Sequence, residues 1–597
     1  MIIPQLKLNL SGEKSSGSLD RFPVLEPGEF IALDTEHRGL GPGSPVVGVS
    51  LATAGSEWYL PCGHPEGKQY DPENLKNWLI DNLAGREVFF RAAKNDIERL
   101  REFGVDLEAI GVIPHEVQHA AALLDDSRRK FDLETLAQDR LGIGKVVPKL
   151  NGREIPRAEI PDIPVDLAAP YARHDARLTY DLAMVYDGDI AEQELRRVID
   201  LEDSLIYCIL SMEREKVKLD VPKLHRWIRE VQEAYAARIM EIYRRTGLRV
   251  SPDSSKDLSK LFKYLNIKPG RTAAGEDSFT DVILNKYIEI KEVQLVSEAR
   301  DLASLLSKYL IKYRDAMTPD GYLPYQLHQL RADDYGTITG RFASSKVNIQ
   351  QVYKPSKQKI QSPVTSPWLV RELFISGGHE NFLMRFTVHD EVNGDLGGRW
   401  FHADASQIEY RLFAHFSCVP RPYSKRLIEA YANDPNISFH KFVHKELLKE
   451  CMIYDHAKNF NFMKLYGGGV DKAASMLGTN DIDYVQGLMD QYDAKVPEAK
   501  RLLYYCSELA EKRGYVRTIL GRRRRYHTGD RFYSGLNSIL QGSAADLMKL
   551  KLKRLYDERK NLKKFKDLEE CFAIQEFKLR VPITWECSEG DNWKETS

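Results

Sequence analysis

The amino-acid sequence predicts several folded units in series: an α/β domain first, then a largely helical α+β region built around a small antiparallel sheet. Three observations carry this. In the first 190 residues, apolar strand patterns alternate with helical ones. Leu, Ile, Lys, Arg and Glu then recur at helical spacing over residues 192–317. Residues 382–411, FLMRFTVHDEVNGDLGGRWFHADASQIEYR, hold two apolar runs that each lead into an aspartate, Asp390 and Asp404, with Gly397 and Gly398 between them. Such a pattern reads as an antiparallel hairpin that returns both acids to one sheet edge.

With 597 residues, 43% hydrophobic and 29% charged, the chain is long enough for several large cores. Lys plus Arg (86) nearly balances Asp plus Glu (87), so any surface for nucleic acid must be local. Seven cysteines without a CxxC pair argue against a zinc site and fit a reducing compartment. No apolar run reaches the roughly 18 residues of a membrane span, and the start, MIIPQLKLNLSGEKSSG, lacks a secretory apolar region. The expected location is cytoplasmic, with no membrane partner.

In the first third, FIALD is an apolar strand that runs into DTE, and VVGVSLA at residues 46–52 is a second strand. A lone DxE is ordinarily a solvated turn. Here Asp34 and Glu36 are followed by Asp96 in AAKNDIERLREFG and by Asp175 in YARHDARLTYDLA, with Tyr171 one helical turn earlier. This ordered set resembles the DxE, second-Asp and YxxxD motifs of the proofreading 3′-5′ exonucleases. The resemblance implies an RNase H-like α/β domain whose four carboxylates hold two divalent ions, with Tyr171 orienting the attacking water. One position departs from the pattern: Ala92 stands where Asn is usual, which implies altered contacts to the strand end.

Two carboxylates converging on one sheet edge repel unless cations lie between them, and a pair of Mg²⁺ ions in phosphoryl transfer is the usual reason for such a site. DASQIEYR, opening at Asp404, resembles motif A (DYSQIELR) of the family A, DNA polymerase I type, DNA polymerases. VHDE at residues 388–391 resembles motif C of the same family. The similarity runs over nearly the whole chain. TGRFASSKVNIQQV (339–352) matches TGRLSSxxPNLQN, implying that Arg341 and Gln350 lie along the primer-template backbone and minor groove. HAKNFNFMKLYGGG (456–469) places Lys458, Phe462 and Tyr466 on one helical face and resembles motif B, KxxxFxxxYG. There Lys458 would offset triphosphate charge and protonate the leaving pyrophosphate, Phe462 would stack on the nucleotide, and Tyr466 would sit by the templating base. NSILQGSAAD matches NxxxQGTAAD, giving Asn537 and Gln541 a minor-groove role. GYVRTILGRRRRYH resembles a segment that approaches the template strand. SSKDLSKLF and TAAGEDSFT resemble the thumb, with Lys256, Lys260 and Lys308 as phosphate contacts. FKLRVPITWECSEGDNW resembles the closing strand.

Two departures matter. Tyr454 stands where the family has Arg, which leaves His440 in NISFHKF, similar to the DIH histidine, and Lys464 as candidate cations for the triphosphate. The motif order also differs: the family runs A, B, C, whereas here the one HDE precedes motif A. Removing residues 379–398 leaves VRELFISGGRWFHADASQIEYRL, an uninterrupted family-like sequence, so motif C reads as transplanted, in the order C, A, B. Because A and C occupy neighbouring antiparallel strands, only the connection need change.

The resemblance implies residues 1–190 as the exonuclease domain, 191–335 as a helical thumb, 336–430 as the first part of a palm, 431–513 as fingers and 514–597 as the rest of the palm: a right-hand polymerase. It implies a DNA-templated DNA polymerase with proofreading and no N-terminal 5′ nuclease, from a bacteriophage or bacterium, working as a monomer. Asp390 and Asp404 would hold two Mg²⁺ ions, with Mn²⁺ as an alternative, Glu391 would support them, and Glu409 would exclude a 2′-OH. Primer-template DNA and dNTPs are the expected partners, with a replisome helicase or single-strand binding protein as further candidates. The alternatives are an exonuclease whose polymerase-like half only binds DNA, and a non-catalytic primer-template binder.

Overall fold

The computed structural model describes residues 17–19, 21–39, 43–150, 152–272, 274–331, 335–377, 399–418, 425–448, 453–562 and 565–596. The N-terminal unit is a five-stranded sheet of β1 (Ile31–His37), β2 (Val46–Ala52), β3 (Glu57–Pro61), β4 (Glu87–Phe90) and β5 (Ile113–Glu116). Its order is β3-β2-β1-β4-β5. β1 is the central strand, antiparallel to β2 and parallel to β4, and residues on both of its faces are buried, giving the continuous buried run IALDTE. A Cβ on Gly48 would collide with the Tyr59 ring on the neighbouring strand, which is why β2 carries glycine opposite Glu36.

Three helices complete this unit's functional face: α1 (Ala93–Phe103), α2 (Val117–Leu124) and α3 (Val165–Glu192). α1 starts at Ala92, whose side chain cannot cap it. Glu116, at the end of β5, does so instead, its carboxylate accepting from the Ala93 N–H at 2.6 Å. The long α3 packs across the sheet, burying Ala172, Ala176 and Thr179 against it.

The helical reading of residues 192–317 holds with one change of grouping. α4 (Arg196–Ser204) and the helix after it, Ile206–Glu215, bury Val198, Leu201, Leu205 and Ile209 in a core shared with α2, α3, Tyr325, Leu327 and Leu520. The separate arm therefore begins at α5 (Val221–Thr246), where Asp220 caps the N-terminus, Pro222 occupies the first turn and left-handed Gly247 ends the helix. α5 packs on α6 (Lys291–Leu305), and Arg238 pairs with Glu298 across them at 3.0 Å.

The second half is organised around a two-stranded antiparallel pair. β6 (Trp400–Ala405) faces Trp585–Gly590, with Asp404 opposite Glu586. Three helices of this half, α7 (Ile408–Phe416), α8 (Tyr454–Leu465) and α9 (Gly535–Glu558), share one core that includes Phe413, Phe460, Leu536 and Leu540. Among the described residues, the other edge of β6 has no strand partner. Residues 382–391 and the Gly397–Gly398 turn, including Asp390 and Glu391, lie outside the described residues. No described helix is long and apolar enough to cross a membrane.

Candidate functional site

Two sites emerge, one in each half. In the N-terminal unit, Asp34 and Glu36 are two residues apart on β1 and so share a face, while Tyr171 and Asp175 share a face of α3 at a spacing of four. Asp96 lies in the first turn of α1. All four acids are buried. Thr35 donates to Asp96 at 2.6 Å, yet each carboxylate keeps one buried oxygen without a hydrogen-bond partner: Asp34 Oδ2, Glu36 Oε1, Asp96 Oδ2 and Asp175 Oδ1.

Burial and mutual repulsion show in the protonation equilibria. Burial, with Asp175 close by, pushes Asp34 up to about 6 against the opposing pull of Arg157, Lys145 and Arg91. Glu36 and Asp96 rise well above the carboxylate range, again chiefly through burial, with Asp34 adding to it. No group of three or more His, Cys, Asp or Glu among the described residues is arranged to hold a metal ion as it stands. The four orphaned oxygens nevertheless form an all-oxygen donor set suited to a hard divalent cation. Of the positive groups around them, Lys145 is the one whose ammonium pairs with Asp175, and it lies 5.3 Å from the Tyr171 ring centre. Asp34, Asp96, Lys145, Arg157, Tyr171 and Asp175 line a cavity of about 270 Å³. Sequence reasoning missed Arg91, Lys145 and Arg157. They lie outside regular helices and strands that carry a periodic signal, and the basic positions in GIGKVVPK and REIPR were the available hint. Ala92 lines the same cavity, and Asn95 nearby lies within 3.2 Å of His37.

In the second half, β6 ends at Asp404 and Ala405, and the chain turns sharply into α7 through Gln407, which adopts a left-handed conformation with φ of 51°. Non-glycine residues pay for that conformation, and two anchors hold it. Gln407 Oε1 accepts from the Phe439 N–H at 2.7 Å. The fully buried Arg411 donates to the carbonyls of Ser406, Pro582 and Pro435 at 2.7, 2.8 and 2.6 Å. The Asp404 side chain stays 60% exposed, with Lys354 Nζ at 3.9 Å.

Glu409, in the first turn of α7, accepts from the Tyr466 hydroxyl at the end of α8 and from Arg341. Gln541 of α9 approaches the same Tyr466 hydroxyl. The structure thus gathers Arg341, Glu409, Tyr466 and Gln541 from four separate segments. Gln350 stays nearer its own loop, donating to the Phe342 carbonyl at 3.0 Å, and Asn537 keeps a buried Oδ1 without a partner. On α8, Lys458 is exposed and Phe462 half-buried, its ring 5.0 Å from His440 and 6.4 Å from Tyr466.

Neither replacement cation is free to serve. Burial, helped by Lys458, pushes His440 down to about 4, so it is neutral near pH 7, and its Nδ1 lies 3.1 Å from Asn461 Nδ2. Lys464 is paired with Asp493 at 2.7 Å. The arginine run also departs from expectation, because it faces inward. Arg522 bonds Glu202 and Asp546, Arg523 the Gln193 carbonyl, Arg524 Asp126, and Arg525 the Leu123 carbonyl and Gln193. Its partners are acids and carbonyls of the N-terminal unit and α9, so the run fastens the two halves together.

Comparison with known proteins follows this division. Residues 221–569 match the family described as DNA polymerase family A, and residues 16–185 match the 3′-5′ exonuclease family. The chain is 27% identical, over 89% of its length and 87% of the other's, to a protein named DNA polymerase DpoZ of Acinetobacter phage SH-Ab 15497. It is likewise 27% identical to DNA polymerase I of Chloroflexus aurantiacus, over 87% of this chain and 54% of that one. A solved structure titled as the POL domain of Pol1 from M. smegmatis with DNA primer-template and dNTP shares the fold, with a TM-score of 0.72 at 20% identity, covering 97% of this chain and 100% of that one.

Proposed function

Because the chain belongs to DNA polymerase family A and carries a 3′-5′ exonuclease domain, we propose that primer extension takes place at Asp404 and strand-end trimming at the Asp34, Glu36, Asp96 and Asp175 cluster. The observation that carries this is the separation of the two acidic centres: one set of buried carboxylates with orphaned oxygens in the α/β unit, and one exposed aspartate at a strand end, five residues before Glu409, which Tyr466 holds. We assign residues 1–190 to the exonuclease domain, 191–335 to the thumb region, whose first helices (196–215) pack into the core shared with the exonuclease domain and whose arm starts at Val221, 336–430 and 514–597 to the palm and 431–513 to the fingers.

Family A polymerases use divalent cations, and Mg²⁺ is the ion we assign to both centres, with Mn²⁺ as a substitute. Asp34, Glu36, Asp96 and Asp175 would hold the pair at the exonuclease centre, and Asp404 with Asp390 the pair at the polymerase centre, supported by Glu391. What such ions supply is neutralisation of phosphate charge and a lower pKa for the attacking hydroxyl or water. The chain's own residues do the positioning. Tyr171 orients the attacking water at the exonuclease centre. Glu409, fixed between Tyr466 and Arg341, blocks the space of a 2′-OH. Lys458 meets the triphosphate and gives a proton to the departing pyrophosphate, Phe462 stacks on the incoming base, and neutral His440 offers a hydrogen bond rather than charge. Arg341, Gln350, Asn537 and Gln541 line the duplex, and the exposed Lys256, Lys260 and Lys308 touch its phosphates.

The C, A, B order is supported at the points where the chain leaves and re-enters the described residues. Gly377 and Arg399 both line one apolar cavity of about 380 Å³ beside β6, whose outer edge has no described partner. Primer-template DNA and dNTPs are the substrates, a replisome helicase or single-strand binding protein the further partners, and the bacterial or phage-infected cytoplasm the setting. The test is primer extension with dNTPs and Mg²⁺ by the wild type, Asp404→Ala and Asp390→Ala. Loss of extension in both variants, with strand trimming kept, supports the assignment. Robust extension by Asp390→Ala ends the permuted assignment, and trimming without any wild-type extension ends the polymerase assignment.

A further inference from the structure

The exonuclease cavity contains a positive charge that the four-carboxylate scheme does not use. Lys145 stands on the loop between residues 142 and 148, and two bonds tie that loop to α3. His174 Nε2 meets the Gly144 carbonyl at 3.0 Å, and the Lys145 ammonium pairs with Asp175, the next residue along the helix. The Lys145 side chain is only 15% exposed. It lies over the Tyr171 ring and acts on Asp34 and Glu36 through space. Asp175 keeps its other oxygen, Oδ1, buried and without a partner. One carboxylate therefore has one oxygen on a lysine and the other buried without a partner.

A lysine and a divalent cation cannot both neutralise the same carboxylate without repelling each other. When the cation takes Asp175, the ammonium must leave it. The nearest anion then introduced is the phosphodiester of the strand end, in a cavity where Ala92 supplies no side-chain hydrogen-bond donor. Lysine suits this exchange. Its charge is compact and its stem flexible, so it can move by a few ångströms while the loop stays pinned by His174.

We propose that Lys145 is a positioning residue of the exonuclease: it holds Asp175 in place before metal loading, gives it up to the divalent cation, and then binds the phosphate next to the scissile bond. This rests on the assignment of Asp175 to the exonuclease centre. Arg157, whose charge faces Asp34, Glu36 and Asp175 in the same cavity, stays as the fixed cation.

The test uses the full chain in three forms: wild type, Lys145→Met and Lys145→Arg. Mn²⁺ binding is followed by electron paramagnetic resonance and subtracted against an Asp175→Asn control, and single-stranded oligonucleotide affinity is measured separately with Ca²⁺ in place of the active ion. Removing the competing charge should tighten Mn²⁺ binding at this centre about tenfold while weakening oligonucleotide binding by a similar factor. Lys145→Arg should recover oligonucleotide binding. Opposite movement of the two affinities is the signature, because a lysine that merely supports the fold would lower both together. Unchanged or weaker Mn²⁺ binding in Lys145→Met, with a normal thermal transition, overturns the proposal. If Asp175→Asn removes no Mn²⁺ binding, the underlying site assignment fails instead.

Discussion

Arg522 Nη2 lies 2.6 Å from Glu202 Oε1, joining two residues 320 positions apart in the chain. Lys549 donates to both oxygens of the same carboxylate at 2.7 and 2.9 Å, and Arg522 donates from Nη2 and Nε to Asp546 Oδ1 at 2.8 and 2.9 Å. Burial would raise the Glu202 carboxyl, but Lys549 and Arg522 hold it below the usual range. Breaking one partner of a buried ion network leaves an uncompensated charge, at a cost of about 3–5 kcal/mol. Arg522→Met should therefore lower the denaturant midpoint sharply. A loss below about 1 kcal/mol, the level of an exposed pair, would show that the network is not what fastens the two halves.

Asp203, beside Glu202 on α4, carries a pH dependence. His115 and His119 place their Nδ1 atoms 3.1 and 2.9 Å from it. Burial would lower both imidazoles, but the bonds and charge of Asp203 outweigh this, and both rise above 6.5. The folded state thus holds these protons more tightly than the unfolded state. The stability this pairing contributes is complete below 6.5 and fades as pH climbs through the raised folded values. The stability lost on Asp203→Asn should be larger near about pH 6 than near about pH 9. Equal losses at both values, in thermal melts of the two proteins, would contradict this.

Glu409 is held by two donors, so its position can be loosened in steps. Tyr466→Phe removes one charge-assisted hydrogen bond and should reduce discrimination against ribonucleotides about tenfold. Glu409→Ala should remove most of it. Single-nucleotide incorporation with matched rNTP and dNTP measures both, and unchanged ratios would remove Glu409 from the sugar site.

Arg411 is a structural prediction in a segment chosen for chemistry. It spends its guanidinium on three carbonyls that hold the turn after Asp404. A lysine cannot satisfy all three, so Arg411→Lys should cost about 2–3 kcal/mol and slow primer extension without affecting strand trimming. Trimming that fell in parallel would point to global unfolding instead.

The two centres should also separate genetically. Asp34→Ala with Glu36→Ala should abolish degradation of single-stranded DNA and leave the extension rate unchanged. Residual trimming at the wild-type rate would mean that the acids of β1 are not the centre.

Local spacing was legible in the chain itself. Two residues along a strand and four along a helix return a side chain to the same face, so Asp34 with Glu36, Tyr171 with Asp175, and Lys458 with Phe462 and Tyr466 could be paired from the amino-acid order alone. The order also showed a strand ending at Asp404. What it could not show was partnership between distant segments. The run of four arginines looked like a strip for nucleic acid, yet Glu202, Asp126 and Gln193 claim it, because charge in a sequence carries no information about which face a fold will bury. Lys464 and His440 read as spare cations until packing set Asp493 against one and desolvation neutralised the other. Lys145 gave no periodic signal at all, and only the fold brings its loop to Asp175. Backbone geometry decides what neighbours within a turn can do, whereas the charge state and availability of a side chain depend on partners that only tertiary packing supplies.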